Sequence, residues 1–393
     1  MKIMSINAGS SSLKFSLFDM KNQTCIASGY FERVTLPNSF YTIKYNGEKI
    51  REEVEMPNHT VAVEVLLDRL VSLHIISSLD EIDGIGHRLV HGADKYDHSV
   101  IITDEVVEDL KKYIPLAPLH NPANILGIEA VKKALPNVPM VGVFDTAFHQ
   151  TMDEINYIYP VPYEWYTKYG VRKYGFHGTS HCYISKQIPR LLGKDEYKAI
   201  ICHLGSGGSL SLVKNGKCLD TTMGFTPLAG IMMGTRSGDI DASIIPYIME
   251  QTGKTLDEVM NDLNKKSGFL GLSEKSSDFR DIYAGVKEND KKCVLAFEKY
   301  VSTVVKYIAE YYVEADGVDA IIFTAGLGEN AAEAREAIVK KLSCLGITLN
   351  EEANQIRGEE VCISAPESKV SLYVVPTNEE LMIAQDTVEL IGE

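Results

Sequence analysis

The chain lacks any apolar run of the roughly 18 residues that a membrane-spanning helix requires. Its opening stretch, MKIMSINAGSSSLKFSLF, breaks a leader-like apolar core with Asn7 and Ser10 to Ser12 and does not read as a signal peptide. Positive charge is in deficit, with 39 Lys and Arg against 54 Asp and Glu and a net charge of −15 at pH 7. That balance argues against nucleic acid or an anionic membrane as the main partner, although a basic pocket for a small anion needs only a few residues. Cysteine is sparse and unpatterned. The seven thiols (Cys25, Cys182, Cys202, Cys218, Cys293, Cys344 and Cys362) are odd in number, with no CxxC and no zinc-type spacing. Reduced, mostly buried thiols in a cytoplasmic protein are the expectation. The apolar fraction of 45% and charged fraction of 24% are those of an ordinary globular chain, which excludes disorder, a collagen repeat or a coiled coil as the main state. A length of 393 residues allows two domains with ample core.

What is present alternates between two periodicities. Lys2 to Asp19 reads as strand, small-residue turn, strand, with Asn7 to Ser12 as the turn. The same grammar returns at Ala199 to Val213, around His203-Leu204-Gly205-Ser206-Gly207-Gly208-Ser209, and Lys214 to Lys217 makes a further tight turn. Two such hairpins about 200 residues apart suggest two related domains, each with a glycine/serine loop near its start. Asn124 to Leu135 and Val294 to Tyr312 carry apolar residues at helical spacing, while Val138 to Phe144, Ala320 to Thr324 and Val370 to Val375 are short β-rich runs. Strands alternating with helices imply an α/β fold. A boundary near residue 150 is expected, with the end of the chain returning to the first domain.

Several loops carry chemistry. Gly253-Lys254-Thr255 looks like the end of a P-loop, but Ile248 stands where its first glycine belongs, so it reads as a loop after a helix. Gly326 to Ala331 fits G-x-G-x-x-A after a strand, a pattern suited to close backbone approach to a nucleotide. Asn7, Gly9 and Ser10 to Ser12, followed by Lys14, have the chemistry of a phosphate cradle, though an ordinary hairpin turn presents the same residues. Arg88 sits between His87 and His91, Asp145 ends an apolar run, His177 lies between glycines, and Arg236 lies in a glycine-rich loop with Asp239 and Asp241. Singly, each reads equally as structural. Together, two loop arginines, a loop histidine and a strand-end aspartate are what phosphoryl transfer needs, because cations must meet the oxygens of the transferring group. Pro376 to Glu380 offers a carboxylate for a cation or the start of a helix.

NAGSSSLKF, HRLVHG, FDTAFH, KYGFHGTSH, HLGSGG, GFTPLAGIMMGTRSGDID, GLGEN and PTNEE occur in the order and spacing of the acetate kinases, so the whole chain resembles the acetokinase family. The resemblance implies two duplicated actin-like ATPase (ribonuclease H-like) domains with a nucleotide cleft between them. Residues 1–150, completed by about 380–393, would form the N-terminal domain and residues 151–379 the nucleotide-binding domain. It further implies ATP and ADP as co-substrate, acetate and acetyl phosphate as the acyl pair, Mg²⁺ (or Mn²⁺ in its place), and a cytoplasmic homodimer without a nucleic acid or membrane partner.

Residue by residue, Asn7 and Glu379 match the family's metal positions and Lys14 a nucleotide-binding lysine. Arg88 matches the arginine that holds the acyl carboxylate or phosphate, with Val90, Leu119, Phe176 and Pro227 lining the methyl pocket. Asp145 matches the catalytic aspartate, and His177 and Arg236 the pair that stabilises the transition state. His203, Leu204, Gly205, Ser206 and Gly207, then Asp278, Phe279 and Arg280, then Gly326, Leu327, Gly328, Glu329 and Asn330 match the ATP-binding segments. Ser206 stands where many members have Asn, and AGLGEN where many have GGIGEN. Alternatives are a propionate or butyrate kinase, since one methylene in an apolar pocket is worth only about 1–3 kcal/mol, or an ATP-driven switch of the actin and heat-shock type. A dehydrogenase built on Gly326 to Ala331 lacks a hydride-transfer site.

Overall fold

The computed structural model describes residues 1–392. The chain divides into two units: Met1–Gln150 together with the chain from Asn378 onward, and Thr151–Thr377. Asn378 and Glu379 thus group with the first unit, whereas the sequence reading carried the second domain to residue 379.

The first unit is built on β1 (Lys2–Gly9), β2 (Ser12–Asp19), β3 (Thr24–Glu32), β4 (Phe40–Tyr45) and β5 (Glu48–Glu53), an antiparallel meander. After it come β6 (Gly84–Leu89), β7 (Val100–Ile101) and β8 (Met140–Phe144). β6 joins β1 in parallel, β8 joins β6 in parallel, and β7 closes the edge. The second unit repeats the plan with β9 (Lys198–Leu204), β10 (Gly208–Lys214), β11 (Lys217–Thr221), β12 (Ala320–Thr324), β13 (Val361–Cys362) and β14 (Ser371–Val374). Its order is β11-β10-β9-β12-β14-β13, with β12 parallel to both β9 and β14.

Five consecutive strands of each sheet, β3-β2-β1-β6-β8 and β11-β10-β9-β12-β14, share one order and one pattern of directions. Helices at equivalent crossovers complete the match: His59–Ser72 and Asn121–Ala134 in the first unit, Lys291–Glu314 and Ala332–Lys341 in the second. This is the duplicated actin-like α/β architecture that the resemblance implies, legible here as topology. Gly253 caps one helix in the left-handed region and Thr255 caps the next, which explains the P-loop-like tripeptide as a helix-to-helix turn.

Each unit has its own core, one around Ile6, Phe15, Leu66 and Val131, the other around Ile200, Val304, Ile321 and Leu372. The helix Glu379–Ile391 packs on β1, β6 and β8. Asn378 Oδ1 caps it by accepting from Leu381 N at 3.0 Å. Gly86 permits this contact, because a Cβ there would run into Ile383 and Thr387 of the helix.

Candidate active site

Strands β1, β6 and β8 run parallel, so Asn7, Arg88 and Asp145 emerge at the same, carboxyl, end of the sheet, where ligands of open α/β sheets bind. Arg88 Nε donates to Asp145 Oδ1 at 3.0 Å and Nη2 to Oδ2 at 2.7 Å, a two-pronged ion pair. Asp145 is buried, while a quarter of the Arg88 side chain remains exposed. The Asp145 charge raises the arginine's pKa further, with Glu379 and Glu380 adding to the effect. Burial pushes the Glu379 carboxyl up; Arg88 opposes this and Asp145 reinforces it. Lys14, opposite Asn7 in the β1–β2 ladder, is ion-paired with Glu380. Burial works against its charge, but Glu380 outweighs that and raises its pKa.

Asn7 and Glu379 are hard oxygen donors beside this acidic group. Among the described residues no cluster of three His, Cys, Asp or Glu is arranged to hold a metal. An ion held by Asn7 and Glu379 would therefore take most of its ligands from water and phosphate, which is the habit of Mg²⁺. The donor set fits it.

In the second unit the carboxyl ends of β9, β12 and β14 likewise converge. His177 adopts left-handed backbone (φ 59°) and starts the helix Gly178–Leu192. Its Nδ1 lies 2.9 Å from Ser209 Oγ, and its ring stacks on His203 at 4.2 Å between centroids. Arg236 Nη1 donates to the Pro227 carbonyl at 3.1 Å. Among the described residues no carboxylate pairs with Arg236, and burial lowers its pKa. A Cβ placed on Gly207 would sit 3.3 Å from Arg236 Nη1 and 3.6 Å from His177 Nε2. The glycine loop, the histidine and an arginine without a counter-charge therefore meet at one place.

Next to that point lies a cavity of about 610 Å³, lined by Gly205, Ser206, Asp278, Phe279, Arg280, Gly326, Leu327 and Asn330 among others. Three segments far apart in sequence thus share one wall. The other positions expected with them have the following surroundings. Leu204 points into the core and is fully buried. Glu329 Oε1 accepts from Ala325 N at 2.8 Å and Thr377 N at 3.0 Å, clamping two strand ends. Gly328 gives its carbonyl to buried Arg335. His203 Nδ1 is bonded to Ser180 at 2.8 Å. Lys14 belongs to the first unit. Asp278 caps the helix Phe279–Lys287, and Arg280 holds its carboxyl at about 2. Of the acyl-pocket positions, Val90 and Leu119 lie on the first unit and Phe176 and Pro227 on the second; Val90 and Phe176 are buried, whereas Leu119 is 71% exposed.

The sequence reading missed the residues that hold these groups in place. Asn124, from the helix Asn121–Ala134, accepts from Val90 N at 3.1 Å and donates to Ala8 O at 3.0 Å, tying the strap after β6 to the end of β1. Ser209 bridges His177 and His181, and Ser180 bridges His203 and Thr377. Phe269, Tyr283, Lys287, Glu333 and Arg357 complete the cavity wall. Only the helical stripe containing Asn124 left any signal, a polar residue on an apolar face.

Comparison with known proteins agrees with these features. A family model described as the acetokinase family matches residues 2–385. Acetate kinase of Bacillus subtilis (strain 168) is 54% identical over 391 residues, covering 99% of each chain. Among solved structures, Porphyromonas gingivalis acetate kinase superposes with a TM-score of 0.95 at 45% identity. A propionate kinase from Francisella tularensis subsp. tularensis SCHU S4 superposes with 0.94 at 41%. Both structures cover 99% of each chain.

Proposed function

Because this chain belongs to the acetokinase family, we propose that it catalyses the reversible reaction ATP + acetate ⇌ ADP + acetyl phosphate. It is an enzyme, a kinase of the acetate kinase type, and ATP and ADP are its co-substrate pair. The observation that carries the residue-level reading is the convergence of Gly207, His177 Nε2 and the uncompensated Arg236 beside the cavity. An arginine with no carboxylate is a cation kept available for an anion, as developing charge on a transferring phosphoryl group requires.

Acetate is ionised at neutral pH, since free carboxylic acids titrate near ~4. It needs no base to become a nucleophile, and the transfer we propose is direct and in line, with no phosphorylated enzyme intermediate. Asp145 then serves by orienting the Arg88 guanidinium, which leaves one edge of Arg88 for the acyl oxygens; its buried two-pronged pairing supports this over proton transfer. Val90, Leu119, Phe176 and Pro227 are the positions that the family resemblance assigns to the acyl methyl group. Asp278 to Arg280, Gly326, Leu327 and Asn330 hold the nucleoside, and Gly205 to Gly207 the phosphates. Asn7 and Glu379 would hold Mg²⁺, which when bound neutralises charge on the phosphate oxygens. Lys14 steadies this end through Glu380. A cytoplasmic homodimer completes the reading.

An acyl-hydroxamate assay with MgATP and acetate, propionate or butyrate, run beside Arg236→Ala, tests it. Acetate-preferring product that drops roughly 10²–10⁴-fold in the variant is expected. Nucleotide hydrolysis without any hydroxamate would overturn the reading in favour of an ATP-driven switch, and a preference for propionate would reassign the acyl substrate.

A further inference from the structure

The inner edge of His177 meets an arrangement with a definite proton requirement. Ser209 Oγ lies 2.9 Å from His177 Nδ1 and 2.8 Å from His181 Nε2. Ser209 and His181 are fully buried, whereas His177 is only partly so. A hydroxyl has one proton to give and lone pairs to receive others. With two imidazole nitrogens on it, Ser209 can donate to only one, and the other ring must donate to the serine. Two orders follow. Either His177 Nδ1–H donates to Ser209, which donates to His181, or His181 Nε2–H donates to Ser209, which donates to His177 Nδ1.

The orders differ at the other edge of His177. In the first, neutral His177 presents a bare lone pair at Nε2. In the second it presents Nε2–H. That edge faces Gly207 and the Arg236 guanidinium, where the ideal Cβ of Gly207 lies 3.6 Å from Nε2 and 3.3 Å from Nη1. A lone pair there would repel phosphoryl oxygens, and an N–H would stabilise them. Stacking on His203 fixes the ring plane, and turning the ring over within that plane would give up the Nδ1 bond to Ser209.

We propose that the buried chain His181 Nε2–H to Ser209 Oγ–H to His177 Nδ1 sets the tautomer of His177, so that the neutral ring offers Nε2–H to the transferring group. Ser209 and His181 are positioning residues, and the inference rests on the phosphoryl-transfer role proposed for His177. The same device is familiar at metal sites, where the partner of one imidazole nitrogen decides what the other can do.

Two measurements decide it. Nitrogen-15 spectra of histidine-labelled protein at pH 8, with His177 assigned from His177→Gln, read the tautomer without any activity. A neutral ring protonated at Nε2 is expected; a ring protonated at Nδ1, or at both nitrogens, would overturn the proposal. Ser209→Ala should lower kcat roughly 10–100-fold, the range for lost orienting partners, with KM for ATP nearly unchanged and the His177 signals spread over both tautomers. Ser209→Thr, which keeps the hydroxyl, should restore most of both. If Ser209→Ala unfolds, the wild-type spectrum and the threonine variant still decide. Full activity in a folded Ser209→Ala protein would also overturn it. Absence of kinase activity in the wild type would instead remove the functional reading while leaving the tautomer result intact.

Discussion

Arg88 and Arg236 show how one residue type serves two ends. Arg88 is compensated by Asp145 and is thereby oriented; Arg236 is uncompensated and thereby available. If Asp145 acts through Arg88, Asp145→Asn should lower kcat/KM for acetate about 10–100-fold and leave the shape of the pH–rate profile unchanged. Disappearance of one limb of that profile would mark Asp145 as a proton carrier instead. His87 makes a second residue-scale point. It is buried in β6 with no partner at Nε2, and burial holds its pKa down to about 3. The unfolded chain, with histidines near ~6.5, binds that proton more readily. Stability from this group is therefore complete above about pH 6.5 and falls as pH drops toward 3, with a limiting slope of roughly 1.4 kcal/mol per unit. His91, which burial lowers to about 4, acts in the same direction. Thermal midpoints between pH 7 and 4.5 should fall, and a folded His87→Asn variant should fall less steeply; parallel curves would refute the assignment.

At the scale of elements, the decisive packing is the helix Glu379–Ile391 against β1, β6 and β8. It brings Glu379 and Glu380 to the carboxyl ends of the strands that carry Asn7, Arg88 and Asp145. Its close approach depends on Gly84 and Gly86, which read in sequence only as small residues between His87 and Asp83. Gly86→Val should cost roughly 1–3 kcal/mol by overpacking and lower the denaturant midpoint. It should also weaken catalysis, because the helix start would shift. An unchanged midpoint would show that the helix yields without strain. The hairpins β1–β2 and β9–β10 were legible because period-2 apolar runs and glycine/serine turns are local signals. Ser209 was not, and Asn124 showed only as a polar residue on an apolar helical face, because each acts on residues more than 25 positions away and no local pattern reveals such partners.

For the whole molecule, the repeated strand order ties two sequence-distant halves to one architecture, each with its own core. Ile155, Tyr163, Tyr169 and Val313 are exposed apolar side chains of the second unit, and the proposed homodimer would bury them if it forms through this unit. Light scattering should give twice the 43.5 kDa chain mass, and Tyr163→Glu with Tyr169→Glu should halve it. A monomer in the unmodified protein would remove the dimer from the proposal.

The sequence alone determined the α/β class, the two glycine/serine hairpins and the family, because these rest on short-range patterns and long motifs. Tertiary structure alone decided that Asn378 and Glu379 join the first unit and that Glu329 clamps strand ends. It alone decided that Arg236 stands without a carboxylate while Arg88 has one, and which hydroxyl lies against His177 Nδ1. Those facts depend on which side chains meet across the sheet, and that is settled by packing and charge compensation rather than by order along the chain.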